Sequence, residues 1–157
     1  MTPSRSGRTR RSPLRRAGLL LIGAVAWACA DTYVGVYATL DEARQAGAIA
    51  RGWVPQGLPP STTDIREGHD VDTNARWGTF TFPISETARV QALMGEELST
   101  APYCHPPGRF EWWPLALREP IDVSRLHSAG VRLYRARDGD LTYAINWPTG
   151  RAFYWRQ

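Results

Sequence analysis

Toward the C-terminus, apolar and polar residues alternate at period two in blocks separated by turn residues. Leu141, Tyr143, Ile145 and Trp147 interleave with Thr142, Ala144 and Asn146, the spacing of a strand with one buried face. Asp138-Gly139-Asp140 and Pro148-Thr149-Gly150 supply turns on either side. Residues 131–137, 141–147 and 151–156 are therefore expected to form a three-stranded meander. A second alternating block, with Phe80 and Phe82 against Thr79 and Thr81, follows the segment 63–70 across Val71-Asp72-Thr73-Asn74-Ala75. Asp72 and Asn74 carry turn chemistry, so the unit predicts a β-hairpin.

Helical signals are shorter. Thr39-Leu40-Asp41-Glu42 is a capping box, in which the Thr39 hydroxyl accepts from the Glu42 amide and the Glu42 carboxylate reaches back. Ala43 to Ala46 extend that helix and Gly47 closes it in the left-handed conformation. At about two turns it needs packing to hold it. A second helix is expected from Ser85 as N-cap, with Val90, Leu93, Met94 and Glu97 at helical spacing and Gly95 as a stop. A third spans 123–129, between Asp122 as cap and Gly130 as stop. Three prolines and two glycines between Gly52 and Ser61 deny that stretch regular structure. Its Trp53, Val54 and Leu58 need cover, so it should lie pinned across the core. The proline-rich stretch 99–120 holds Trp112-Trp113, adjacent side chains that cannot both enter one core from extended chain. The pattern predicts a single α+β domain over residues 31–157, an antiparallel sheet of one hairpin plus the meander, with two or three short helices. The turns between strands are too short for parallel crossovers.

Charge changes the picture at the N-terminus. The 157-residue chain has a net charge of +4, yet six of its nineteen basic residues, all arginine, fall in the first sixteen positions. Thirteen arginines then face fifteen acids in the remainder, which disfavours a basic nucleic-acid-binding domain, and no nucleic-acid partner is expected. The arginines precede an uncharged apolar run from Ala17 to Ala30. Basic region, apolar stretch and small residues at the end together make residues 1–30 an export signal. Two processing routes fit. Ala26-Trp27-Ala28 before Cys29 resembles a lipoprotein signal, making Cys29 the lipid-attachment residue, although Ala26 and bulky Trp27 depart from the usual pattern. Ala28-Cys29-Ala30 also satisfies the small-x-small rule of ordinary signal peptidase, with release at Asp31. Lipidation is the favoured route, and an uncleaved N-terminal anchor is the third option, although the run is short for a spanning helix. Thr9-Arg10-Arg11-Ser12 is a weak twin-arginine motif, with Pro13 where a large apolar residue is usual. The expected location is the periplasm or cell envelope, attached to a membrane. With Cys29 and Cys104 the only cysteines, at most one disulfide can form.

Gly52-Trp53-Val54-Pro55, Leu58-Pro59, Ser61, Asp64-Ile65 and His69-Asp70-Val71-Asp72-Thr73-Asn74, preceded by Tyr37-Ala38-Thr39-Leu40-Asp41-Glu42-Ala43, resemble small bacterial envelope proteins, often lipoproteins, with a YbbD-type head domain. The resemblance runs from Tyr37 to Phe82 and thins beyond, where it rests on Trp112-Trp113-Pro114 and the aromatic C-terminus. It implies export and a compact domain, and it carries no activity with it.

Candidate chemistry is sparse. Asp70-x-Asp72-x-Asn74 has the first three spacings of an EF-hand, but Ala75 and Thr81 stand where that loop needs glycine and glutamate. No metal or cofactor is expected, and the three residues read as turn formers. His69 with Asp64, Glu67, Asp70 or Asp72 could supply general acid/base groups. A nucleophile elbow, HExxH spacing and a phosphate-cradling glycine loop are all missing. The adjacent Cys104 and His105 tend to point apart, whereas a catalytic pair must converge. Of seventeen aromatic residues most should be core, with Trp112 and Trp113 the candidate aromatic binding surface. The sequence thus favours a non-enzymatic exported binding domain for an envelope protein or cell-wall ligand. The alternative is a small envelope-directed hydrolase using His69 and a nearby carboxylate.

Overall fold

The computed structural model describes residues 32–107 and 109–157; the expected export signal, with Cys29, lies outside these described residues. Ten elements follow in chain order: β1 (Thr32–Thr39), α1 (Leu40–Gln45), β2 (Thr63–Asp70), β3 (Arg76–Thr81), α2 (Thr87–Gln91), β4 (Met94–Glu97), α3 (Val123–Ser128), β5 (Val131–Ala136), β6 (Thr142–Asn146) and β7 (Arg151–Arg156). The strands form one seven-stranded sheet in the order β1-β2-β3-β7-β6-β5-β4, and every neighbouring pair is antiparallel. The α+β class, the hairpin and the meander stand as expected. The hairpin and meander are one sheet because β7 inserts between β3 and β6, with Trp77 opposite Trp155 and Tyr143 opposite Tyr154.

Local chemistry sets the helix ends. The Thr39 hydroxyl accepts from the Glu42 amide, while the Glu42 carboxylate accepts from Ala38 N–H, one residue earlier than a standard capping box. The Asp122 carboxylate accepts from Arg125 N–H, and Gly47 and Gly130 follow their helices at φ of 75° and 77°. The second predicted helix is corrected. It ends at Gln91, Ser85 lies inside a short 3-10 turn (Ile84–Glu86), and Met94–Glu97 is an edge strand. Gly95 explains the change, since a Cβ there would lie 3.2 Å from the Arg135 carbonyl oxygen. The bare backbone can come close to β5, and Leu93 O and Leu98 N–H bond to Arg137 and Leu133.

The sheet is covered on both faces. One core gathers Leu40, Val54, Leu58, Ile65, Phe80, Val90, Tyr143, Ile145 and Tyr154 under α1, α2 and the Gly52–Ser61 connector. The other gathers Trp77, Phe110, Trp113, Leu126, Leu133, Ala144 and Trp155 under the proline-rich stretch and α3. The expectation of one buried face on β6 is therefore too narrow, since Thr142 and Ala144 are buried as well. Val54 and Leu58 pin the connector as predicted.

The β2–β3 turn is held from its first residue. Asp70 Oδ1 accepts from the amides of Asp72 at 3.0 Å and Thr73 at 2.9 Å, and Asn74 takes the left-handed conformation at φ 59°. Asp72 contributes its backbone and Asp70 its carboxylate. These bonds, the Thr73 amide foremost, hold the Asp70 pKa below its ordinary value. Asp70→Ala should lower the thermal midpoint by about 3–5 °C, the equivalent of roughly 1 kcal/mol in a domain of this size, while Asp72→Ala should barely move it. Because the folded-state pKa is depressed, this contribution is present at neutral pH and fades as pH falls through the folded value. Equal midpoints for wild type and Asp70→Ala at neutral pH would contradict the assignment.

Candidate functional site

A row of directly paired residues crosses the sheet on the connector face: Gly35, Glu67, Gly78, Tyr154, Tyr143 and Tyr134. Glu67 thus stands between two positions without side chains, and both gaps are filled by tyrosine rings. A Cβ on Gly78 would lie 2.0 Å from Tyr154 Cζ, and one on Gly35 would lie 2.4 Å from the Tyr37 hydroxyl. Tyr154 lies across β3 and donates its hydroxyl hydrogen to the Trp53 carbonyl at 2.8 Å. That bond fixes the backbone of the connector where Trp53 departs from it.

His69, two residues along β2 from Glu67, projects to the same face. Its Nδ1 lies 2.8 Å from Glu67 Oε2. The imidazole stacks on Trp53 at 3.7 Å between centroids and on Tyr33, its cross-strand partner, at 5.6 Å. The Arg51 guanidinium covers the Trp53 ring at 4.5 Å, a cation–π contact. Glu67 is 1% exposed and His69 5%. Burial pushes the Glu67 pKa above the ordinary carboxylate value, and the hydrogen bonds from His69 and Tyr37 only partly offset this. Burial, then the Glu67 charge, raises the Tyr37 phenol.

Above this pair opens a groove of about 430 Å³ lined by Tyr33, Val34, Gly35, Tyr37, Trp53, Glu67, His69 and Val71. Its floor is the Glu67–His69 pair and its outer walls are apolar, with Tyr33, Val34 and Val71 each about half exposed. A larger cavity of about 470 Å³ lies under the connector near β6. There Arg76 donates to the Gly52 carbonyl at 2.6 Å and reaches Asp140 at 3.4 Å, so its guanidinium already ties the connector to the sheet.

The sequence candidates separate. Of the four acids named beside His69, Glu67 is its partner, Asp70 and Asp72 lie in the turn, and Asp64 pairs with Arg151 and Arg66. Among the described residues no three His, Cys, Asp or Glu side chains form a group that could hold a metal ion. Trp113 is 2% exposed, with its indole N–H on the Leu117 carbonyl, so it belongs to the core. Half-buried Trp112 stacks on Phe110 and reaches the surface. Of the proposed aromatic surface only Trp112 is thus accessible, because the second core needs one large ring at this place. Cys104 is free and buried, and burial pushes its thiol up to about 12, whereas neighbouring His105 is exposed. Tyr33, Tyr37 and Trp53 were not readable as site residues, because strand pairing and the connector bring them to His69 from a distance in sequence.

No curated protein and no solved structure matches the chain. Residues 31–81, which include β1, α1, the connector, β2 and β3 and thus every residue lining the groove, match the family model of the YbbD head domain.

Proposed function

We propose that the chain is an exported, non-enzymatic binding domain of the cell envelope, held there through Cys29 or the N-terminal apolar run, and that the Tyr33–Trp53 groove takes a protein or cell-wall partner. The observation that carries this reading is the division of labour in the groove. Its ionisable groups are buried and bonded to each other, while the residues it presents are apolar. General acid/base catalysis needs a titratable group within reach of the substrate, and His69 has one ring nitrogen committed to Glu67 and its ring stacked on Trp53 and Tyr33. Burial of an exposed aromatic or aliphatic side chain against a partner contributes about 1.5–3 kcal/mol, enough for recognition by Tyr33 and Val71. The net negative charge after the leader also argues against a nucleic-acid ligand.

One observation favours the hydrolase reading: His69 and a carboxylate do converge in a concave site. In that case Glu67 would orient the imidazole, and incubation with cell-wall material would release soluble fragments.

Two outcomes are expected. The purified chain, kept in detergent so that its anchor does not do the binding, should be retained on detergent-washed cell-wall sacculi or on immobilised envelope protein from the producing cells. Tyr33→Ala should reduce that retention about tenfold, the equivalent of ~1.4 kcal/mol, and Leu115→Ala, exposed elsewhere, should not. Equal retention of the Tyr33→Ala chain would overturn the groove as the binding surface. The second outcome concerns pH. Below the ordinary value of 4.5 Glu67 is protonated in both folded and unfolded chains. As pH rises the unfolded chain ionises first, so stability drains until pH passes the raised folded value. The midpoint of Glu67→Gln relative to wild type should therefore rise as pH climbs through and above the ordinary carboxylate value of 4.5; a difference that is flat or falls would contradict a desolvated Glu67.

A further inference from the structure

The two edges of the sheet are finished differently. At one end β4 is four residues long, pairs with a register shift and carries exposed Glu96 and Glu97, the ordinary protections against edge pairing. At the other end β1 is eight residues long, TYVGVYAT, with no charge and no proline. Val34 and Val36 are 50% and 66% exposed.

The parity of the hydrogen bonds shows which backbone groups of β1 are open. Asp70 N–H goes to the Ala75 carbonyl, toward β3. Odd residues of β2 therefore bond β1, and by register the odd residues 33, 35 and 37 of β1 bond back. The even residues turn outward. Two of their groups are taken, the Thr32 carbonyl by the Arg109 guanidinium and the Ala38 amide by the Glu42 carboxylate. Among the described residues, Val34 and Val36 remain as those whose outward amide and carbonyl are both unclaimed.

We infer that β1 is an interaction edge and that its partner is a second copy of this chain, paired antiparallel about a two-fold axis at Gly35. In that register Val34 exchanges both backbone hydrogen bonds with Val36 of the other copy, and Val36 with its Val34, a set of four bonds. Two open residues spaced by two are met by the same two residues, so the edge is complementary to itself. Charge agrees, since an uncharged strand meets an uncharged strand. On the outer face Val34 packs beside the copy's Val36, and on the groove face Tyr33 comes opposite the copy's Tyr37. Gly35 meets Gly35 at the closely spaced pair, where side chains would otherwise crowd. The patch is smaller than the 20–30 or so residues a side of a standard interface, so the association is weak and concentration-dependent. The pairing is carried by the backbone edge of β1, and it borders the groove at Tyr33 and Tyr37.

Two double variants read the register. In the inferred pairing, Val34→Lys with Val36→Glu places Lys opposite Glu at both valine pairs, whereas Val34→Glu with Val36→Glu places like charges opposite each other. Both positions are exposed, and equal thermal midpoints will confirm that both variants fold. Sedimentation equilibrium of the whole chain in density-matched detergent, extended to about 1 mM protein, should show dimer for wild type. The Lys/Glu variant should stay within about threefold of the wild-type dissociation constant, and the Glu/Glu variant should be weaker by at least about tenfold. A wild type that is monomeric throughout would overturn the inference. So would a Glu/Glu variant that dimerises as well as wild type, which would place association at another surface. Equal weakening of both variants would overturn the two-fold register.

Discussion

The site depends on one ring lying flat across a strand. Gly78 has no side chain, so Tyr154 can pass over β3, where a Cβ would come within 2.0 Å of its ring. From there its hydroxyl reaches the Trp53 carbonyl, and the connector, which has no strand or helix of its own to fix it, is held against the sheet. Trp53 then stacks on His69, and His69 bonds Glu67. The buried carboxylate is tolerated because each neighbour on its row is a glycine, which leaves room for Tyr37 to bond it and for Tyr154 to help cover it. The same device recurs on the opposite face, where Gly68 admits the Phe110 ring within 2.2 Å of a notional Cβ. Glycine in a strand interior costs roughly 0.5–1 kcal/mol relative to alanine. Here the close packing of buried aromatic rings, worth several times that each, offsets it.

Position within the sheet then divides the roles. β7 lies at its centre, joins hairpin to meander and supplies the rings that both cores share, Tyr154 on one face and Trp155 on the other. β1 lies at the margin, where its backbone is half-satisfied and its valines meet solvent. The proposed apolar recognition and the inferred edge pairing both belong to that margin, and the ionisable pair belongs to the floor beneath it. A groove of this make offers shape and apolar contact more than charge.

Much of the fold was legible because its signals are local. Thr39 and Asp122 announce their helices through hydrogen bonds spanning three residues, and the meander is written in alternation and short turns. β1 was not legible, because both of its alternating sets are apolar or small and it follows closely on the apolar run Ala17–Ala30. β4 was misread because Val90, Leu93 and Met94 fit helical spacing, and only the approach of Gly95 to β5 decides against it. Trp113 could not be ranked against Trp112 from sequence, since the ring that turns inward is the one that meets Phe153 and Trp155 of β7. In the site, the spacing of two between Glu67 and His69 was sufficient to put them on one face. Trp53, Tyr33 and Tyr154 arrive through tertiary pairing, for which one sequence carries no local signal.

The central claim, that the bare backbone at Gly78 is what lets Tyr154 lock the connector over the Glu67–His69 pair, is tested most directly by a double-mutant cycle in stability between Gly78→Ala and Tyr154→Leu. In the wild-type background the added methyl group should cost about 1–3 kcal/mol through overpacking against the ring. With the ring replaced by leucine it should cost nearly nothing, because alanine is the better strand residue where space allows. The predicted coupling is therefore about 1–3 kcal/mol. The same cost for Gly78→Ala in both backgrounds would contradict the account.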